Sequence, residues 1–155
     1  MLKSHKIILG AGLALFLTGA ASDQDFSGVV AARQGQFYIL DYNLKVLEDM
    51  GANKMPYERE TAVKRAENIY MVTRLNQDVN WLPGSDQAGV PRSRALGVRA
   101  NSEQFKKGWI GLMKSAEQLK AVAADGPPMS LAAAASEMRA TCNSCHVFYR
   151  PGYRD

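Results

Sequence analysis

The residues of this chain best equipped for chemistry form one pentapeptide, Cys142-Asn143-Ser144-Cys145-His146. It holds both cysteines of the chain and one of its two histidines, the other being His5. Cys-x-x-Cys-His is the attachment signature of a c-type haem. Two thiols add across the two vinyl groups, giving thioether bonds, and the three-residue step matches the separation of those vinyls. The imidazole next to the second cysteine then reaches the iron from one face as an axial ligand.

Other uses of these residues fit less well. A disulfide across three residues closes a very small loop and adds little stability. A redox Cys-x-x-Cys opens a helix in a βαβ setting, where the helix N-terminus lowers the thiol pKa; here the pair falls late in a helical segment. Zinc calls for about four ligands, and His5 lies in a segment read below as removed on export. His146 is then the sole imidazole ligand. The sixth iron position holds methionine, lysine, another donor, or nothing.

The elements that position the motif read as helices. Ala and Leu are plentiful and the aromatic share is modest, which favours helix over strand. Lys3 and Lys6 precede an apolar run from Ile7 to Leu17 and the small residues Gly19, Ala20 and Ala21. This is the layout of a secretory signal, cut after Ala20 or Ala21, and the run is short for a membrane anchor. Residues 1–21 are thus expected to be a signal peptide and residues 22–155 one haem-binding domain, placed in the periplasm. The formal charge of +4 falls to +2 once Lys3 and Lys6 leave (17 basic minus 15 acidic residues). Neither that surplus nor any basic run points to nucleic acid.

Four apolar stripes at helical spacing follow. The first runs from about Phe26 to Met50, with Val30, Arg33, Phe37, Leu40, Leu44 and Leu47 inward. The second starts near Pro56, carries Ala62, Ala66, Ile69, Val72, Leu75 and Val79, and ends before Pro83-Gly84. A loop reaches to about Gly97. The third starts near Asn101, with Gln104 completing a capping box, and shows Phe105, Trp109, Leu112, Ala116, Leu119 and Ala123. The fourth starts with Ser130 as N-cap and aligns Leu131, Ala135, Met138, Cys142, Cys145 and Tyr149 before Pro151-Gly152. The expected fold is all-α: an antiparallel up-down four-helix bundle with haem on the C-terminal helix.

A motif at the C-terminal end of an all-helical chain resembles the cytochrome c′ family, over about residues 26–153. Cys142 to Arg150 is similar to that family's C-x-x-C-H-x-x-[YF]-R. Arg33-Gln34-Gly35 resembles the R-Q-G of its first helix, Pro56-Tyr57-Glu58 the start of its second, and Trp81-Leu82-Pro83-Gly84 the turn beyond. The resemblance implies one covalent haem c on Cys142 and Cys145, His146 as proximal ligand, and Arg150 beside the proximal face. The alternative for Arg150 is a C-terminal arginine favoured by the helix dipole. The residue over the distal face would be Phe37, which offers no donor atom; members with Met there tend to be six-coordinate and low-spin. Lys45 lies two turns beyond Phe37. Trp81 and Phe148 are candidate haem-wall aromatics, or ordinary core.

Arg33 falls on the apolar stripe, where a buried guanidinium needs a partner. A haem propionate would serve, with Gln34 assisting; the alternative is an arginine that reaches solvent along its stem. The resemblance thus implies a five-coordinate, high-spin haem protein that binds NO or CO, transfers electrons to redox partners, or both. The alternative is a low-spin, six-coordinate electron carrier. A peroxidase would want a distal acid–base group, so no enzyme activity is expected. A second apolar line, Ile39, Tyr42 and Val46, packs on two neighbours or forms a homodimer seam through the first two helices.

Overall fold

The computed structural model describes residues 24–90, 93–98 and 102–150. The expected signal segment, Asn101 and Pro151-Gly152 lie outside the described residues. Four helices follow in order: α1 Ser27–Gly51, α2 Arg59–Thr73, α3 Glu103–Asp125 and α4 Pro128–Tyr149. Each packs on its sequence neighbours, and α4 closes the ring against α1. There is no strand among the described residues. No helix among them is long and apolar enough to cross a membrane.

The core is the set of stripes read from the sequence. Leu40, Leu44 and Leu47 of α1 meet Ala62, Ala66 and Ile69 of α2, Leu112, Ala116 and Leu119 of α3, and Leu131, Ala135 and Met138 of α4. The many alanines let the helices approach closely. At the α1–α4 crossing, Gly51 is required for that approach: a Cβ there would stand 2.7 Å from the Ala132 Cα.

Helix ends differ from expectation. The second helix stops at Thr73 rather than near Leu82, and Leu75 and Val79 are exposed. Asn76 explains the stop: its side chain accepts from the Asp78 amide at 2.9 Å, a local turn that competes with helix. Gln77, not an apolar residue, turns inward there. This helix also begins at Arg59, three residues after Pro56. Ser102 caps α3, accepting from the Phe105 amide at 3.2 Å. Pro128 rather than Ser130 opens α4, since proline has no N–H to leave unpaired and its φ is already helical.

Arg59 ties the start of α2 to the end of α3. Its guanidinium donates to the carbonyls of Ala124 at 2.7 Å and Gly126 at 3.0 Å, at the negative end of the helix dipole. Arg59→Ala should cost about 1 kcal/mol. Thermal unfolding should show a fall of roughly 2–4 °C.

Candidate haem site

Between α1, α3 and α4 lies a cavity of about 570 Å³, which Trp81, Ser93, Arg94, Ala95 and Val98 also line. Helix α4 contributes Met138, Cys142, Cys145 and His146; α1 contributes Phe37, Leu40 and Leu44; α3 contributes Phe105, Gly108, Trp109 and Leu112. The cysteines are half-buried. They sit where the packed core gives way to the cavity, a less buried setting than the sequence stripe implied. His146, one residue beyond Cys145, is also half-buried and lines the same space. The motif therefore presents two thiols and an imidazole to one cavity.

Aromatic rings line much of the cavity. Phe37 stands 6.4 Å from Trp81 and 6.2 Å from Trp109, centroid to centroid. Phe105 contacts Trp81 at 5.3 Å, Trp109 at 6.0 Å and Tyr149 at 6.3 Å. These spacings suit edge and offset ring contacts. The indoles are anchored: Trp109 Nε1 donates to the Thr73 carbonyl at 2.9 Å, at the end of α2. Trp81 Nε1 donates to Gln77 Oε1 at 3.2 Å. Gln77 in turn exchanges amide hydrogen bonds with Gln36 of α1.

Several sequence expectations meet at the cavity. Cys142, Cys145, His146, Phe37, Gln34, Trp81 and Arg150 all line it. Phe148 does not: it is 62% exposed on the outer side of α4. Tyr149 takes the inner place instead. Helical spacing explains this, because 149 continues the 138-142-145 stripe and 148 does not.

Arg33 is corrected. It is buried, as its stripe position implied, but it does not line the cavity. Its guanidinium donates to Ser85 Oγ at 2.6 Å, the Ser85 carbonyl at 2.6 Å, Ser93 Oγ at 2.8 Å and the Asn80 carbonyl at 3.0 Å. It also lies 4.4 Å from the Trp81 ring centroid. The buried cation is met by neutral oxygens of Asn80, Ser85 and Ser93 and by a ring face, so no propionate is needed to satisfy it. Burial pulls its pKa below the ordinary arginine value, with the Asp86 carboxylate opposing.

The cavity does carry cations that the sequence did not single out. Arg94 and Arg139 line it together with Arg150. Arg139 is fixed by Glu48, at 2.9 and 3.0 Å, and by Asp41 at 2.8 Å. The Glu48 hydrogen bonds hold its pKa above the usual arginine value. The signal for Arg139 was available: it lies three residues before Cys142 and so on the same helical face.

These residues fit a haem. Two thiols at vinyl spacing face a space walled by rings, with arginines along its lining. Gly108 leaves open a position where a Cβ would stand 2.8 Å from Cys145 Sγ. Burial pushes the Cys145 thiol above its ordinary pKa, with a Ser144 hydrogen bond opposing. That is the reverse of the activated thiol of a disulfide oxidoreductase. No group of three or more ligating side chains suited to a metal ion is present among the described residues, which leaves no zinc arrangement there.

Fold and cavity together place the chain among the four-helix-bundle proteins that carry a c-type haem. It belongs to the cytochrome c′ family, whose model, described as Cytochrome C′, matches residues 28–150. A cytochrome c′ of Cereibacter sphaeroides is 27% identical over 144 residues, 92% of this chain and 96% of that one. The solved cytochrome c′ from Rhodobacter Spheriodes superposes with a TM-score of 0.77 at 24% identity, covering 84% of this chain and all of that one. That from Thermochromatium tepidum gives 0.71 at 22%, covering 83% and 98%. Members of this family bind a covalently attached haem c, and this chain is a haem protein of that family.

Proposed function

We propose that this is an exported, periplasmic haem protein whose iron is five-coordinate and high-spin, and that it binds small gases such as NO and CO and passes electrons. Cys142 and Cys145 would carry the haem, His146 would supply the imidazole to its iron, and Arg150 would stand beside it. The bound group supplies a redox-active iron with one position free for a diatomic ligand. The chain supplies attachment, one imidazole and an apolar opposite wall.

One observation carries this reading: among the residues that α1 brings to the cavity shared with the motif of α4 is Phe37, braced by Trp81 and Trp109. A phenyl ring donates no electron pair to iron. Poor distal hydrogen bonding also disfavours a polar bound O₂, and no second histidine exists in residues 22–155 for acid–base work. We therefore assign no catalytic reaction to it.

Met138 favours the second reading, a six-coordinate electron carrier, because its thioether lines the cavity. Met138 and His146 rise from the same helix, however, eight residues or about 12 Å apart along its axis. Both approach from the α4 side, whereas an opposing ligand would come from α1. Ile39 and Tyr42 are 45% and 53% exposed on α1, while Val46 packs on the core. The first two form part of a seam for a homodimer through α1 and α2.

The test is the absorption spectrum of the reduced holoprotein with and without CO. The reading predicts a broad high-spin spectrum that sharpens and shifts on CO addition. A sharp low-spin spectrum indifferent to CO would sink it.

A further inference from the structure

Helix α3 meets the motif at Gly108. That residue lines the cavity, and a Cβ placed on it would lie 2.8 Å from Cys145 Sγ. This is well inside the separation at which non-bonded heavy atoms attract. Glycine is a poor helix former, yet α3 carries it at this position, and the sulfur occupies the space its missing side chain leaves. One turn on, Gly111 is different. Its Cβ would meet only the Thr141 Cγ2, at an ordinary 3.8 Å.

An unbonded cysteine sulfur in a helix has a second comfortable rotamer. The apo chain could therefore absorb a methyl group at 108 by turning Sγ away. The turned sulfur would leave the side of α4 from which it faces α3 and the cavity.

We propose that Gly108 is a positioning residue for covalent attachment: its bare backbone sets Cys145 Sγ where it can add to the second vinyl group. Addition forms one C–S bond, passes the thiol proton to the neighbouring vinyl carbon and consumes the C=C double bond. No oxidant or reductant is required. The inference rests on haem attachment at this motif and is independent of which ligand the iron takes.

The full chain is produced as Gly108→Ala, Gly108→Val and Gly111→Ala in a host that matures c-type cytochromes. Each product is denatured and alkylated, and its intact mass is read. Wild type and Gly111→Ala should carry haem and no alkyl group. The Gly108 variants should keep haem through Cys142, gain one alkyl group that maps to Cys145, and show a red-shifted pyridine haemochrome band from the unreacted vinyl. Two intact thioethers in both Gly108 variants would overturn the proposal, as would equal loss in Gly111→Ala. The apo form of Gly108→Ala should match the wild-type circular-dichroism spectrum. Loss of helix there would make Gly108 a packing residue and also overturn it.

Discussion

Phe37→Met should convert the iron to six-coordinate and low-spin and suppress CO uptake. The substitution puts a thioether on α1, at a position that lines the same cavity as the motif. Methionine has three rotatable bonds and adapts to irregular gaps, and Phe37 is 37% exposed, so the exchange leaves the packed core untouched. CO then competes with an internal ligand. If the free-site form falls to about 1% of molecules, apparent CO affinity falls roughly 100-fold. Titration of the reduced protein with CO reads this directly. Unchanged affinity with an unchanged high-spin spectrum would mean that residue 37 does not face the iron. Phe37→Leu is the control: with no donor atom, it should stay high-spin.

Arg33→Leu should destabilise the protein by about 3 kcal/mol, and by the same amount with or without haem. Leucine removes four donated hydrogen bonds and the cation over the Trp81 ring. It leaves Ser85 and Asn80 carbonyls short of a donor, at about 1–3 kcal/mol for each buried group left unpaired. Because side chains in the loop can partly re-pair, the sum is smaller than the separate costs. For a domain of this size the loss lowers Tm by roughly 6–12 °C. The apo comparison separates two roles. A clamp on the 80–93 loop matters in both forms, whereas a propionate partner would matter only in the holoprotein. Indole fluorescence of apo Arg33→Leu should also report a more exposed Trp81.

Much of the fold was legible because helical stripes are long and the core obeys them. Val30, Leu40, Leu44, Leu47, Leu112, Leu119, Leu131 and Met138 are all buried as their spacing dictates. The covalent motif was legible because its chemistry fixes residue type and spacing together. Helix ends were less so. The stop after Thr73 depends on one Asn76 side chain capturing a nearby amide, a competition that periodicity does not register. The side chain of Ser102, beside the expected cap, accepts from the Phe105 amide.

The site's wall was the least legible part. Phe105, Trp109 and Tyr149 read as plain core, and only their level along α3 and α4 beside Cys142 and Cys145 turns them into cavity lining. Arg33 shows the limit from the other side. Its burial followed from spacing, but its partners come from residues 47 to 60 positions away in sequence. A long-range polar pairing of that kind leaves no local pattern. The Gln36–Gln77 amide pair, 41 residues apart, was invisible for the same reason.

The central claim is an iron held by His146 alone among protein donors, with Phe37 opposite. X-ray absorption at the iron edge of the ligand-free, reduced holoprotein counts its nearest neighbours. The account predicts five nitrogens, four from the porphyrin and one from His146. A sixth neighbour, whether a sulfur from Met138 or any other protein donor, would contradict it.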